Sequence, residues 1–328
     1  MQPALKNKNR FTNPYQEGES LSFGKAILWL LGYYRKHRRT FHVPDSFIYP
    51  NDRVELNNSF PTVRWLNHST FHIHRNGVSI LTDPIWSDRC SPFSFLGPKR
   101  RHCPPFTIDS LKEVDIVLVS HNHYDHLDSE TITELHRYYP QIHWYVPKGL
   151  RLWFQKRGIH QVTELDWWQE VELTIKSQKV KVSLVPSQHS SGRGIFDQKH
   201  TLWGGFVVEL IEQNTGHKQF YFAGDTGYNN RDFKAIGRKY GEMDLSLIPI
   251  GAYHPRKLMK SVHVNPEEAS CIHQEVKSKL SVAMHWKTFK LTDELMRQPP
   301  YDLYRALLKE GVDPKHFRVL DPGQVINW

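Results

Sequence analysis

The run SHNHYDHLD at residues 120–128 constrains this chain more than any other feature, and it follows directly after an apolar segment at residues 114–119. Composition alone rarely produces such a run, because the chain has only 20 histidines among 328 residues. Four side chains within six positions carry donors that suit a metal ion, namely His121, His123, Asp125 and His126. In an extended backbone His121 and His123 share one face, whereas the adjacent Asp125 and His126 point in different directions. The spacing therefore predicts a metal site that is able to serve two ions.

Further ligands must come from distant segments, and three more candidates lie just after apolar runs. They are His189, Asp225 and His285. Strand ends gather functional groups at one edge of a sheet, because rigid strands position them and loops leave room for a substrate. Taken singly, each is more often a hydrogen-bonded structural residue than a ligand, and Asp83 in LTDP equally suits the start of a turn. Taken together, five histidines and two aspartates predict a binuclear site.

Short apolar runs alternate with helical patterns beyond residue 50, and no internal repeat is present. Asn76-Gly77 between the runs 71–75 and 78–82 is a strong hairpin signal. Further strands are predicted at residues 114–119, 143–146, 180–185, 202–211, 219–222, 245–250 and 280–284. Helices are predicted at residues 129–139, 148–156, 231–240, 266–276 and 301–309. This mixed order favours an α/β layered domain over residues 51–328 and excludes a simple repeating βαβ array.

Residues 1–50 have a different character, with a polar tail followed by an amphipathic segment at residues 21–39 that ends in a basic cluster. Its order is wrong for a signal peptide, which carries its basic residues before the apolar run. Two interpretations stay open. The segment is a helix that lies in a membrane interface with its basic end at anionic headgroups, or it is a helix docked on the protein's own core.

Composition narrows the class of protein further. No segment approaches the roughly 20 apolar residues that span a bilayer. The net charge of +9 makes polyanions plausible partners without choosing among nucleic acid, anionic lipid and phosphate-bearing substrates. The three cysteines, Cys90, Cys103 and Cys271, lack metal-binding spacing, so a reducing compartment is expected, with a single Cys90–Cys103 bridge as the alternative.

Many ordered motifs resemble the metallo-β-lactamase superfamily, whose signature is the His-x-His-x-Asp-His loop. Within it, the stretches LTDPIWSDRCSP, GPKRR, SHNHYDHLD, VPKGL, ELDWW, PSQH, FAGDTGY, IPIGAY, HVNPEEA and AMHWKTF resemble the N-acylphosphatidylethanolamine-hydrolysing phospholipases D. The similarity runs from about residue 65 to residue 321. One departure is NHST at residues 67–70, where that family usually has Gly-His-Ala-Thr.

The resemblance implies an αβ/βα sandwich of two mixed sheets flanked by helices, with the active site between the sheets. It also assigns each ligand to one of two metal ions. It implies a first zinc ion held by His121, His123 and His189, a second held by Asp125, His126 and His285, and Asp225 as the bridge between two Zn²⁺ ions. Other divalent metals remain open, because imidazole and carboxylate suit several of them. The catalytic residues that we predict are Asp125 and His263, the latter near the reacting phosphate. For His263 the alternative is a structural residue before the helix that begins near Pro266.

The implied function is zinc-dependent hydrolysis of N-acylphosphatidylethanolamine to an N-acylethanolamine and phosphatidic acid. The expected partners are the phospholipid substrate and an anionic membrane surface, with a homodimer left open, and the expected location is intracellular and peripheral to a membrane. No nucleic acid is expected, because aromatic residues are not interleaved with the basic ones. The alternatives are a hydrolase of the same fold that acts on RNA or a lactone, and a non-catalytic lipid-binding protein.

Overall fold

Two seven-stranded sheets form the framework of the computed structural model, which describes residues 2–16, 42–51, 56–57, 60–212 and 216–328. The strand order of the first sheet is β16-β3-β4-β5-β6-β7-β8, and that of the second is β15-β14-β13-β12-β11-β10-β9. The strands of the first sheet are β3 (Thr62–Asn67), β4 (Thr70–Arg75), β5 (Val78–Thr82), β6 (Ile116–Leu118), β7 (His143–Pro147), β8 (Val162–Leu165) and β16 (Val325–Asn327). Those of the second are β9 (Glu170–Ile175), β10 (Gln178–Val185), β11 (Gly205–Glu212), β12 (Gly216–Phe222), β13 (Leu245–Pro249), β14 (Ser281–Met284) and β15 (Phe317–Arg318). A separate two-stranded ribbon joins β1 (Lys6–Asn7) and β2 (Arg10–Phe11).

Both sheets are mixed. In the first, β4 and β5 pair antiparallel around Asn76-Gly77, as the hairpin signal predicts, and β5 to β8 run parallel. In the second, β9 to β12 are antiparallel and β12 to β15 are parallel. The buried parts of β6, β12 and β14 are almost wholly apolar, which is typical of strands covered on both faces.

The sheets pack face to face, and helices cover their outer faces. Trp65, Phe71 and Ile80 of the first sheet share one apolar core with Phe206 and Phe220 of the second. A second core, which contains Trp144, lies between the first sheet and its helices. The helices are α1 (Ser129–Tyr138), α2 (Arg151–Gln155), α3 (Asp232–Tyr240), α4 (Arg256–Met259), α5 (Pro266–Glu275) and α6 (Gln298–Lys309). The predicted α/β class and the sandwich of two mixed sheets are confirmed.

The predicted elements differ from the observed ones mainly at their ends. The strand predicted from residue 202 begins at Gly205, and the helix predicted from residue 148 begins at Arg151. The elements that the sequence does not predict are the strands β1, β2, β3, β8, β9, β15 and β16 and the short helix α4. Strand β9 carries the alternating charged pattern of a half-exposed strand at the sheet edge. Among the described residues, no helix is long and apolar enough to cross a membrane.

Two further predictions concern the N-terminal residues and the cysteines. The amphipathic segment at residues 21–39 lies outside the described residues, and the division at residue 50 stays a prediction. Cys90, Cys103 and Cys271 are all free, so the alternative of a Cys90–Cys103 bridge is wrong for this structure.

Candidate metal centre

The predicted ligands meet where four strands end on one side of the sandwich. The run at residues 120–128 follows β6, His189 lies four residues after β10, Asp225 lies three residues after β12, and His285 directly follows β14. The backbone between His123 and Leu127 is not extended but forms a turn, in which the carbonyl of His123 accepts from the amides of His126 and Leu127. This turn, rather than strand alternation, separates His121 and His123 from Asp125 and His126.

Three imidazoles converge at one side of this site. Nδ1 of His123 lies 2.9 Å from Nε2 of His121 and 3.2 Å from Nε2 of His189. Nitrogen donors on a tetrahedral zinc ion at about 2.0–2.1 Å lie about 3.4 Å from one another. The separations of these three nitrogens are therefore close to those of ligands around one small cation.

Asp225 lies between these imidazoles and a second set of side chains. Its Oδ2 is 3.1 Å from Nε2 of both His126 and His285, and it is 3.7 Å and 4.0 Å from Nε2 of His189 and His121. Oδ2 of Asp125 completes the second set at 3.5 Å from Nε2 of both His126 and His285. All seven predicted side chains therefore come together, with one carboxylate between the two groups.

Unpaired buried atoms test whether these residues fit a metal. Among the described residues, Oδ1 of Asp225 is buried without a hydrogen-bond partner, and the buried Nε2 atoms of His126 and His285 face its Oδ2 at 3.1 Å. A buried polar atom without a partner is costly, and each of these atoms carries or can expose a lone pair toward the cluster. The donor set is also one that divalent cations favour, so the residues fit a metal site.

Burial and the two carboxylates give the histidines different protonation states in the metal-free chain. Burial, the largest cause, lowers the pKa of His121 and His189 well below the ordinary value. His126 and His285 are equally buried, but attraction to Asp225 and Asp125 outweighs burial and raises the pKa of His126 well above the ordinary value and that of His285 to about 9. Conversely, His126 overcomes the effect of burial on Asp225 and Asp125 and holds the pKa values of both carboxyls well below their usual range.

Asp83 fixes the orientation of His126. Its Oδ2 accepts from Nδ1 of His126 at 2.6 Å and from the hydroxyl of Ser120 at 2.5 Å, and its Oδ1 accepts from the amide of Ser120 at 2.7 Å. A carboxylate on the far nitrogen of a ligating histidine sets its tautomer and turns its other nitrogen toward the metal. Asp83 therefore does more than start the turn before Pro84. The carbonyl of Val262 acts similarly on Nδ1 of His189 at 2.8 Å.

His68 is a site residue that the sequence reasoning did not single out. Its Nε2 lies 3.0 Å from Oδ2 of Asp125, and its carbonyl accepts from the amide of His285. Burial lowers the pKa of His68 to about 3, and the neighbouring His285 adds to this effect. A neutral His68 thus donates to Asp125 and holds that carboxylate in place. Its position in NHST, between two strands, was the available signal.

Arg193 braces the metal-binding loop from outside. Its Nη1 donates to the carbonyls of Asn122 and Leu127 at 3.1 Å and 2.6 Å, and its guanidinium stacks 3.9 Å from the ring centre of Tyr124. The amide of Gly192 also donates to Oδ1 of Asn122 at 2.7 Å. The segment after His189 therefore ties together both ends of the turn that carries Asp125 and His126.

His263 lies at the rim of the cluster. Its Nδ1 is 3.8 Å from Oδ2 of Asp225, and its ring centre is 5.2 Å from those of His189 and His285. Its side chain is 15% exposed, as is that of Asp125, whereas those of His126 and His285 are wholly buried. Burial lowers the pKa of His263 to about 4 although Asp225 opposes this effect, so its imidazole is neutral at pH 7.

Two glycines allow the strand ends to approach this closely. Gly224, directly before Asp225, has a φ of +59°, and a Cβ there would lie 2.6 Å from Cβ of Ser120. A Cβ on Gly251 would overlap the carbonyl oxygen of His285. These positions admit no side chain, because Gly224 lies against Ser120 and Gly251 lies against the backbone of His285.

Comparison with known proteins gives consistent results. The family profile described as "Beta-lactamase superfamily domain" matches residues 79–286. "N-acyl-phosphatidylethanolamine-hydrolyzing phospholipase D 1" of Caenorhabditis elegans is 40% identical over 268 residues, which cover 80% of this chain and 74% of that protein. The mitochondrial enzyme of Saccharomyces cerevisiae with the same activity in its name is 35% identical over 236 residues, which cover 72% of this chain and 49% of that protein. Among solved structures, the metallo hydrolase Igni18 of the archaeon Ignicoccus hospitalis is similar with a TM-score of 0.60 and 22% identity, covering 82% of this chain and 98% of the other, a likeness that concerns the fold.

Proposed function

Because this chain belongs to the β-lactamase superfamily and is a metal-dependent hydrolase, we propose that it is a phosphodiesterase of the phospholipase D type. The proposed substrate is N-acylphosphatidylethanolamine. Water adds to the phosphorus, the bond between phosphorus and the ethanolamine oxygen breaks, and the products are phosphatidic acid and an N-acylethanolamine. The names of the worm and yeast relatives support this choice of substrate.

The observation that carries the proposal is the position of Asp225 between two sets of ligand atoms. We assign His121, His123 and His189 to a first ion, and Asp125, His126 and His285 to a second, with Asp225 shared by both. The distances of 3.1 Å from Asp225 Oδ2 to both His126 and His285 support this division. Zinc is our choice of metal, since imidazole and carboxylate ligands at these separations suit it.

Two divalent cations held there would lower the pKa of bound water and offset the negative charge that develops on a phosphodiester during hydrolysis. The chain's own residues orient the ligands and exclude bulk water from them. Asp83 and His68 hold His126 and Asp125, and the almost complete burial of five ligands, all except His123 and Asp125, keeps bulk water from their donor atoms. Rigidly held groups of this kind stabilise charge better than mobile water does, because they need no reorganisation during the reaction.

His263 is the residue that we assign to the substrate phosphate. Its Nδ1 is buried and has no hydrogen-bond partner among the described residues, and its side chain remains partly open to the outside. A neutral imidazole with its proton on Nδ1 donates to a phosphoryl oxygen. Replacement of His263 by alanine is therefore expected to slow turnover while the metal content stays unchanged. An unaltered rate would return His263 to a structural role beside α5.

Access to a phospholipid requires binding at a bilayer surface, so peripheral attachment to an intracellular membrane is part of the same proposal. The basic stretch at residues 99–101 contributes less than its sequence suggests. Arg100 is buried, and its guanidinium donates to the carbonyls of Ser87 and Ile85. Lys99 and Arg101 remain exposed to anionic headgroups, although Lys99 also lies 3.7 Å from Asp88. A homodimer stays a prediction.

A substrate panel tests the proposal directly. The purified chain, loaded with Zn²⁺ or treated with chelator, is assayed against vesicles containing N-acylphosphatidylethanolamine, a short RNA and a simple lactone. We expect metal-dependent release of phosphatidic acid and N-acylethanolamine from the vesicles alone. Turnover of the RNA or the lactone without lipid cleavage would assign the site to another substrate. No metal-dependent turnover of any substrate would favour a non-catalytic lipid-binding protein.

A further inference from the structure

Five large apolar side chains protrude from two loops, which we call together the apolar rim. The first loop carries Phe93, Phe95 and Leu96 with 51%, 77% and 60% of each residue exposed, and the second carries Ile195 and Phe196 with 59% and 87% exposed. Exposed apolar residues that occur singly need no explanation, but several at the tips of neighbouring loops mark an interaction surface.

The apolar rim lies beside the metal-binding loop. Phe93 and Arg193 line a cavity of about 390 Å³ together with Tyr124, which stands between His123 and Asp125 in the metal-binding loop. The rings of Phe93 and Phe95 are in contact, with centres 5.6 Å apart, and the hydroxyl of Tyr124 donates to the carbonyl of Arg193. Both loops therefore flank one opening next to Tyr124 of the metal-binding loop, although none of the seven proposed ligands lines this cavity.

Hydrogen bonds stabilise the conformation of both loops, in which the apolar side chains point into solvent. In the second loop, Asp197 accepts from the amides of Arg193 and Gly194 at 2.8 Å and 2.7 Å. In the first, Arg89 donates to the carbonyl of Gly97 at 2.5 Å, and the amide of Cys90 donates to the carbonyl of Pro98 at 3.3 Å. These hydrogen bonds stabilise the conformation in which Phe95 and Phe196 face solvent.

Basic residues outnumber acidic ones in the first loop. Residues 87–103 contain four basic residues and one acidic residue, Asp88, which lies 3.7 Å from Lys99. Acidic residues are also present nearby, since Asp128 and Glu130 line the cavity. Arg100 is turned inward, whereas the side chain of Lys99 is 60% exposed, and Arg101 is also exposed. Apolar side chains flanked by exposed cations suit a bilayer interface that contains anionic lipid, because the side chains enter the acyl boundary while the cations remain among the headgroups.

We propose that the apolar rim is a membrane-docking surface, which inserts into an anionic lipid interface and places the opening beside Tyr124 against the bilayer. The inference rests on the proposed function, in which the substrate is a membrane lipid. A bilayer is favoured over a folded protein partner because the apolar side chains stand on protruding tips. A soft interface receives such tips without a complementary surface, whereas a protein would have to supply a matching pocket for each.

Vesicle binding by the full chain tests the surface. The variants are Phe95→Asp, Phe196→Asp and the double variant, with Leu308→Asp on α6 as the matched control. Leu308 is 55% exposed and belongs neither to the two loops nor to the cavity lining. Vesicles of phosphatidylcholine with about one third phosphatidylglycerol, and vesicles of phosphatidylcholine alone, are sedimented with each protein. Thermal unfolding confirms that each variant is folded, and Phe95→Ser and Phe196→Ser replace any variant that is not.

Transfer of a phenylalanine side chain from water into an apolar region is favourable enough that each aspartate variant is expected to bind the anionic vesicles roughly tenfold or more weakly. The control is expected to bind like the unaltered chain, and all proteins are expected to bind the neutral vesicles more weakly. The proposal is wrong if the double variant binds anionic vesicles as tightly as the unaltered chain, if Leu308→Asp loses as much binding, or if the unaltered chain does not bind.

Hydrolysis of a short-chain, monomeric N-acylphosphatidylethanolamine separates docking from catalysis. The variants of the apolar rim are expected to cleave this soluble substrate at the unaltered rate. Loss of that activity together with vesicle binding would contradict a role limited to docking. If the unaltered chain binds vesicles through Phe95 and Phe196 but cleaves no N-acylated phospholipid, the proposed function fails while the docking surface stands.

Discussion

Replacement of Asp83 by asparagine tests whether this buried carboxylate controls the metal centre through the tautomer of His126. The substitution keeps the size of the side chain but leaves a single acceptor oxygen. If that oxygen keeps its bond to the amide of Ser120, the new NH₂ group faces Nδ1 of His126, which in the unaltered chain lies 2.6 Å from Oδ2 of Asp83. Nδ1 must then accept, which moves the ring proton to Nε2. In the opposite orientation the NH₂ group would meet the N–H of Ser120, so neither arrangement is favourable.

A proton on Nε2 removes the lone pair that points to the cluster, where Nε2 lies 3.1 Å from Oδ2 of Asp225. Loss of such an outer partner typically weakens metal binding 10- to 100-fold, which corresponds to about 1.4 to 2.8 kcal/mol. We expect Asp83→Asn to lose affinity for Zn²⁺ by this factor in chelator competition, and turnover at limiting metal to fall in parallel.

The matched control is Asp128→Asn. Asp128 is a buried aspartate at the end of the same metal-binding loop, but its carboxylate accepts from Ser87 and Thr131 and contacts no histidine. We expect this variant to lose stability without a specific loss of metal affinity. If Asp83→Asn bound zinc as tightly as the unaltered chain, or if both variants lost the same affinity, control of the His126 tautomer by Asp83 would be refuted.

Three further predictions concern the ligands and their support. Asp225→Asn is expected to reduce bound metal measured by elemental analysis and to abolish turnover, because it removes the charge shared by both groups; full activity with unchanged stoichiometry would contradict the ligand assignment. Arg193→Ala is expected to weaken metal binding and to lower kcat more than it raises KM, and Arg193→Lys is expected to restore part of the loss. The control is Arg157→Ala, which removes a guanidinium stacked on Trp153 without affecting the loop carbonyls and is expected to change none of these quantities. A change confined to KM would make Arg193 a substrate contact instead. Metal binding at pH 7 is expected to release protons from His126 and His285, whose pKa values are raised in the metal-free chain. Apparent affinity should therefore increase with pH through the range in which both imidazoles lose their protons, which for His285 lies near pH 9. Calorimetry in two buffers of different ionisation enthalpy measures the proton release, and equal heats in both buffers would count against it.

Local sequence signals were enough to predict the residues with metal-ligand atoms that lie at the ends of apolar runs. Asn76-Gly77 predicts its hairpin because the turn conformation depends on those two residues. His285 and Asp225 were found for a related reason, since each follows a short run of buried residues that is recognisable alone. By contrast, β9 alternates charged and apolar residues at a sheet edge, so its hydrophobic signal is weak.

The supporting residues could not be found in this way, because their roles depend on contacts between distant segments. Asp83 meets His126 across 43 positions, and His68 meets Asp125 across 57 positions. Both pairs form because β3 to β6 are neighbours in the first sheet, which brings the turns after β3 and β5 beside the loop that follows β6. Arg193 reads in the sequence as a basic residue in a glycine-containing loop, and only its bonds to the carbonyls of Asn122 and Leu127 identify it as a brace.

The chemistry available to this protein is already present in its amino-acid order, as imidazoles and carboxylates at the ends of buried strands in an arrangement typical of one superfamily. Which atoms meet depends on the folded chain, in which Oδ2 of Asp225 lies between two groups of imidazoles and Asp83 and His68 orient their neighbours. Residue type and local spacing act over a few positions of the chain, whereas convergence to about 3 Å requires strand order, sheet packing and the close approach of the backbone at Gly224 and Gly251.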